Sequence, residues 1–303
     1  MSEIHIGISG WRYAPWRKQF YPEGLVQAKE LAFASRAVSS IEINGSFYAL
    51  QTPQRYAEWR DATPDGFVFA VKAPRYITHV RRLKEIDEPL ANFFASGPLQ
   101  LGEKLGPILW QFPPSMTFDP QRFADFFECL PQDRHAATQC ARQCNARMNK
   151  DGAFDSHGNG ALRHAVEIRN ESFRNAEFID LLRKHGVALV VADTAGKWPY
   201  LEDLTADFLY LRLHGDAELY ASGYTEPALQ RWAQRIRTWS RGQQPADAQL
   251  AGARKDAVKG AKDIYCYFDN DLKVRAPFDA RDLLERLKLA GGLETVPGER
   301  WMT

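Results

Sequence analysis

Short apolar runs recur along the chain, separated by longer amphipathic or polar stretches. They occupy residues 4–9, 38–44, 67–72, 107–112, 164–169, 187–193, 208–213 and 264–268. Each has strand length and is rich in β-branched or aromatic residues. Helical patterning fills most of the intervals. Asp119 and Pro120 read as an N-cap followed by proline at the first helical position. Asn175 reads as the cap of a helix that ends at Gly186. Leu229, Trp232, Ala233 and Ile236 recur at helical period within 226–241. Asp279 reads as the cap of a last helix that carries Leu283, Leu284 and Leu287. The stretch 194–207 is too short to assign. Eight strands alternating with helices predict parallel strands joined by right-handed crossovers. The expected fold is therefore α/β: a single (β/α)8 barrel of the TIM type, with 1–303 as one domain. A doubly wound sheet is the runner-up. Against it, no G-x-G-x-x-G links the first strand to a helix, and there is no P-loop.

Two segments break the alternation. Residues 131–163 are polar and carry the turn signals Lys150-Asp151-Gly152, Ser156-His157-Gly158 and Asn159-Gly160. Residues 242–263 are rich in Ala, Gln and Lys, with little apolar periodicity. Both run from a helix into a strand. In a barrel such connections lie on the N-terminal face, so both are expected there as irregular insertions away from the chemistry.

Polar residues cluster where the strands end. The second strand ends in Glu42-Ile43-Asn44, the third in Lys72 and the fourth in Trp110-Gln111. The fifth reads Glu167-Ile168-Arg169, the sixth ends in Asp193, and the seventh reads Arg212-Leu213-His214. Side chains two apart share a face. A common inward direction puts them at the C-terminal mouth, where barrel enzymes carry their sites. The competing reading is structural: three acids against Lys72, Arg169 and Arg212 nearly balance, as a buried ion network must.

Composition narrows the classes of partner. At 45% hydrophobic and 25% charged residues, disorder is excluded. Lys and Arg number 39 against 38 Asp and Glu, a net charge of +1. That excludes attraction of nucleic acid by bulk charge, so any phosphate site must be local. Four cysteines make no disulfide framework. No apolar run is long enough to span a membrane. The opening MSEIHIGISGWR has no basic segment followed by a long apolar stretch. A cytoplasmic location without membrane partners is expected.

Several stretches are similar to one known family. They include GISGWRYAPWRKQFYPEGL (7–25), SSIEINGSFYALQTPQRYAEW (39–59), TPDGFVFAVKAPRYITH (63–79), KLGPILWQFPP (104–114), HAVEIRNESF (164–173), YLRLHG (210–215) and YCYFDND (265–271). With these the chain resembles the YecE-like family, the domain of unknown function seventy-two. The resemblance implies a TIM-type barrel and no settled activity. Some members look like endonuclease IV and sugar-isomerase barrels in shape, which is analogy of fold. Three positions depart from the family pattern: Asn170 stands for a common His, Phe173 for Trp and Asp269 for Asn.

Three chemistries fit these residues. The first is metal-free acid–base catalysis, with Glu42, Glu167, Asp193 and His214 as proton-transfer groups and Lys72 and Arg212 holding an anion. The second is a divalent metal on Glu42, Glu167, Asp193 and His214. The third is phosphate or nucleic-acid binding. Residues 72–84 hold five Lys or Arg and no acid, with Tyr76 and His79 interleaved. The loop after the first strand adds Trp11, Arg12, Tyr13, Trp16, Arg17 and Lys18. The expected binding residues are Trp11, Tyr13, Asn44, Tyr48, Lys72, Arg75, His79, Gln111, Arg169, Arg212 and Asn270. No cofactor is expected. The function expected is an enzyme acting on a phosphate-bearing anion; a non-catalytic nucleotide or nucleic-acid binder and a metal-dependent nuclease or isomerase are the alternatives. Cys140 and Cys144, near His135 and His157, form a weak zinc pattern that lacks a second close pair.

Overall fold

A computed structural model describes residues 2–217, 219–220, 222–253, 262–270 and 274–301. Eight parallel strands close into a barrel in sequence order. They are β1 (Ile4–Ser9), β2 (Ser40–Ile43), β3 (Val68–Lys72), β4 (Leu105–Gln111), β5 (His164–Glu167), β6 (Ala188–Asp193), β7 (Phe208–Leu213) and β8 (Asp263–Phe268). Around them lie α1 (Glu30–Ala37), α2 (Gly45–Tyr48), α3 (Pro53–Ala62), α4 (Asp87–Ala95), α5 (Pro120–Cys129), α6 (Arg134–Ala141), α7 (Ala146–Asp151), α8 (Ala176–His185), α9 (Glu226–Ser240) and α10 (Ala276–Leu287). The expected (β/α)8 barrel is thus the observed fold.

The caps act where the sequence suggests. Asp119 accepts a hydrogen bond from Arg122 N, and Asn175 accepts one from Glu177 N. Gly186 ends α8 in the left-handed conformation, which glycine adopts without a Cβ penalty. Asp279 is a correction. It lies inside the first turn of α10, buried, and accepts from Asn270 Nδ2 and Tyr224 N instead of capping.

Strand alternation sorts the side chains into two layers. Ile8, Ile43, Val71, Trp110, Val166, Val191, Leu213 and Phe268 pack outward against the helices. Ala70, Leu109, Ala165, Val190, Ala192, Tyr210, Tyr265 and Tyr267 fill the barrel interior. Every second residue continues each set, so the inner rows run on to Ser9, Glu42, Lys72, Gln111, Glu167, Arg212 and Asp269. Asp193 and Asn270 fall in the outer rows.

Two connections differ from expectation. Between β6 and β7 the described chain forms no helix. Leu201 and Leu204 are buried there, and Glu202 and Asp203 accept backbone N–H groups of Gln249, Ala251 and Gly252. Part of the 242–263 segment therefore ties this crossover down; residues 254–261 of it lie outside the described residues. The 131–163 segment is not irregular chain confined to the N-terminal face. It leaves and returns there through Arg134 N to Gly160 O and Leu162 N to Gln132 O. In between, α6 and α7 cover the outside of α4. Asn145 reaches Glu88 at the start of α4, and Ala153 N bonds Ala95 O at its end.

Gly7 sets the approach of β1 to β2. A Cβ on it would fall 1.6 Å from the carbonyl oxygen of Ser40. No rotamer relieves a clash with backbone. Gly7→Ala is therefore expected to destabilise the barrel by about 3 kcal/mol or more, read from urea unfolding followed by circular dichroism.

Candidate functional site

Seven inner-row positions meet at the C-terminal end of the barrel, and one of them, Arg212, ties four of the others together: Ser9, Glu42, Glu167 and Asp269. Its guanidinium is fully buried. Nε donates to Glu42 Oε2 at 3.0 Å, and Nη2 donates to Glu42 Oε1 at 2.9 Å, a two-pronged grip. Nη1 donates to Glu167 Oε2 at 2.7 Å, and Nη2 to Asp269 Oδ2 at 2.8 Å. The remaining lone pairs of Glu42 are also occupied. Ser9 Oγ and Tyr210 OH each donate to it at 2.6 Å. Glu167 Oε1 accepts from Gln111 Nε2 at 2.9 Å and Arg169 Nε at 2.8 Å. His214 is fully buried beside them, with Nδ1 3.1 Å from Asp269 Oδ2. Burial alone would raise the pKa of Glu167, but Arg169 and Arg212 hold it well below the usual carboxylate range. Asp269 is lowered in the same way, by Arg212 and His214 against burial.

This ion network is the floor of a cavity of about 540 Å³. Lys72, Arg75, His79 and Arg169 line it, with Tyr13, Asn44, Phe47, Tyr48, Gln111 and Tyr220 around them. Asp269 is the one carboxylate on the described wall. The Arg169 guanidinium carbon sits over Trp198, 3.8 Å from its ring centroid, and Nη2 donates to Tyr220 OH. The Lys72 ammonium sits 4.3 Å above the centre of the Phe47 ring. Burial, helped by the Arg212 charge, pulls its pKa down to about 8. His79 is presented by a π-helical turn over Tyr76–Val80, a deviation that often marks functional segments. Thr78 Oγ1 lies 2.8 Å from His79 Nδ1. Burial and the charges of Lys72, Arg169 and Arg75 lower the His79 pKa to about 4, so the ring is neutral at pH 7.

A second cleft of about 420 Å³ adjoins this one across Tyr13, Asn44 and Tyr48. Trp11 lines it, edge-on to Trp59, with Arg12 and Arg55 at its rim.

The sequence-derived set therefore divides. Tyr13, Asn44, Tyr48, Lys72, Arg75, His79, Gln111 and Arg169 face one cavity, and Trp11 faces the cleft beside it. Glu42, Glu167, Arg212 and His214 lie beneath, each with no exposed surface. Arg212 is thus corrected from a ligand contact to the hub of the floor, because its donors are spent on three carboxylates and Ser9. Asp193 is not in the site. It shares the outer row with Val191 and accepts from Tyr224 OH at 3.1 Å. Asn270 follows Phe268 outward, to Asp279 and Ser222 O. The four-residue metal set fails on the same grounds: Asp193 points away, and the Arg212 guanidinium occupies the space between the two glutamates. Among the described residues no group of three or more His, Cys, Asp or Glu side chains is arranged to hold a metal, and Cys140 and Cys144 are free thiols. Ser9, Phe47, Tyr210 and Tyr220 are residues of this site that the strand-end reading missed, and of the acid and amide that follow β8 it chose Asn270 and not Asp269. Alternation from Tyr265 and Tyr267 singles out Asp269. Asn170, the departure from the family pattern, is spent on a cap: it accepts from Ser172 N and donates to Pro114 O.

Arg212→Ala should cost about 3–5 kcal/mol at pH 7, since three buried carboxylates lose their common partner. Glu167 and Asp269 have lowered pKa values in the folded state, so their contribution is complete above roughly pH 4 and is lost as the pH falls below it. Urea unfolding from pH 7 down to about 3 should show a steep acid loss in the native protein and a shallower one in the variant.

Comparison with known proteins bears on the fold and the family. The chain is 26% identical over 188 residues to UPF0759 protein YecE of Escherichia coli K12, a match covering 57% of this chain and 65% of that protein, less than two thirds of its length. It is 24% identical over 300 residues to UPF0759 protein YunF of Bacillus subtilis, covering 94% of this chain and 95% of that one. The crystal structure of a DUF72 family protein from Thermotoga maritima superposes with a TM-score of 0.69 at 24% identity, over 94% of this chain and 99% of that one. A DUF72 family protein from Enterococcus faecalis gives 0.64 at 19% identity, over 94% and 96% of the two chains. Both are likenesses of fold. The family described as "Protein of unknown function DUF72" matches residues 5–300, and the chain belongs to that family.

Proposed function

We propose that this barrel is an enzyme that binds a phosphate-bearing anion in the cavity above the ion network and acts on it by proton transfer. The observation that carries the reading is the charge of the wall. Lys72, Arg75 and Arg169 open on one cavity whose only described carboxylate, Asp269, is already held by Arg212. A doubly charged oxyanion matches that surplus. The acid–base groups follow from contact. Glu42 and Glu167 are sealed in the floor, whereas Lys72 and His79 reach the cavity. A neutral His79 beside cations suits a neutral hydrogen-bond partner for the ligand, its pKa of about 4 leaving it too weak a base to take up a proton near pH 7. Lys72, with a pKa of about 8, exchanges protons near physiological pH.

The adjoining cleft favours a ligand longer than the anion itself. Tyr48, 73% exposed, stands on the shared wall and offers a ring face to a planar group. A nucleotide or a nucleic-acid end is the non-catalytic alternative that this cleft supports.

Arg169→Ala and Lys72→Ala should each weaken binding by about 1.5–3 kcal/mol, the loss of one charged hydrogen bond. Titration calorimetry with inorganic phosphate, sugar phosphates, nucleotides and short single-stranded oligonucleotides measures this, after melting curves establish folding. If no anion binds, or if binding ignores both substitutions, the cavity is not an anion site.

A further inference from the structure

Lys72 has surroundings unlike those of a lysine that only holds an anion. Its backbone is fixed at the end of β3, where its carbonyl accepts from Ser46 Oγ at 2.7 Å. The side chain is 8% exposed, and its ammonium rests on the Phe47 ring. Among the described residues no carboxylate lies within 4.0 Å of it. Glu42, Glu167 and Asp269 are all turned to Arg212 instead. The same Phe47 ring has His79 edge-on, with centroids 5.1 Å apart. An amine and a neutral imidazole therefore flank one phenyl ring on the wall of one cavity. Arg75 and Arg169 complete that wall with fixed positive charge.

We propose that Lys72 is an amine nucleophile, forming an imine with an aldehyde or ketone whose own anionic group is held by Arg75 and Arg169. The proposal rests on the anion-binding reading of this cavity and names the substrate class within it: phosphorylated, or otherwise anionic, carbonyl compounds.

The chemistry is balanced by groups at hand. The ammonium first gives a proton to water. The freed lone pair on Nζ attacks the carbonyl carbon, and the carbonyl π pair moves to oxygen. A proton passes from nitrogen to that oxygen, giving a carbinolamine. The proton lent at the start returns to the hydroxyl, which leaves as water while the nitrogen lone pair forms the C=N bond. The sum is one ammonium and one carbonyl giving one protonated imine and one water, with no oxidant or reductant. Such an imine draws electrons from the adjacent carbon, the property for which lysine imines are used in catalysis. Desolvation makes the step feasible near neutrality, because a lysine with a pKa near 8 has an appreciable neutral fraction there, unlike one near 10.5.

Borohydride trapping tests it. The full-length protein is incubated with glyceraldehyde 3-phosphate or dihydroxyacetone phosphate, reduced with sodium borohydride, and examined by intact mass and peptide mapping. The expected result is one reduced adduct per chain, mapped to Lys72. Its formation should rise with pH to a midpoint near 8 and run at least about tenfold faster than with unphosphorylated dihydroxyacetone. Lys72→Arg keeps the charge without the nucleophile; it should retain phosphate binding by calorimetry and yield no adduct. Mapping on the native protein gives the site directly if that variant fails to fold. Phosphate binding with no adduct at Lys72, or adducts scattered over surface lysines, overturns the imine and leaves the anion site standing. An adduct at Lys72 that forms equally well with dihydroxyacetone supports the nucleophile and overturns the anion reading.

Discussion

Arg212 is the point on which the barrel's C-terminal half depends. A guanidinium with no exposed surface must place its donors, and here they reach carboxylates from three other strands or strand ends, Glu42, Glu167 and Asp269, together with Ser9. Each carboxylate would be untenable in that interior without it. The interaction thus ties β1, β2, β5, β7 and the end of β8 into one floor. It also closes the barrel from the mouth, so the cavity is lined by the side chains above Glu42, Glu167 and Arg212, which have no exposed surface.

The floor shapes the wall by taking its counter-charges away. With the nearest carboxylates committed to Arg212, Lys72 is left to an aromatic face and to repulsion from the buried guanidinium. Arg169 bridges the two layers, bonded to Glu167 below and set over Trp198 at the side. A cavity with surplus positive charge and two titratable groups, Lys72 and His79, is the outcome. The ion network and the cavity wall are therefore two levels of one arrangement, and a purely structural and a purely chemical account of the strand-end charges each describe one level.

The legible part of the site followed from a period of two. Counting by twos from Ala70, Ala165, Tyr210 and Tyr265 leads to Lys72, Glu167, Arg212 and Asp269; counting from Val191 and Phe268 leads to Asp193 and Asn270, away from the lumen. The strand-end charges alone did not separate the two sets, since both carry acids and amides at the same height. Phe47 and Tyr220 escaped for a different reason. They stand on a short helix and a loop, where no strand alternation says which way a ring turns.

The apolar rhythm by itself determined eight buried parallel strands alternating with helices, and the lack of a dinucleotide-type glycine motif and of a P-loop favoured a closed barrel over a doubly wound sheet. It also determined which end carries charge. Tertiary structure alone decided how the charge is shared. Whether a lysine pairs with a glutamate or rests on a phenyl ring depends on distances between strands far apart in sequence, and Glu42 meets Arg212 across 170 residues. Only the closed barrel decided that the arginine takes all three carboxylates, because its planar fork can serve several acceptors at once where an ammonium cannot match that geometry. The 131–163 segment was decided in the same way: its polar sequence permits an open loop, and the flank of α4 turns it into two helices.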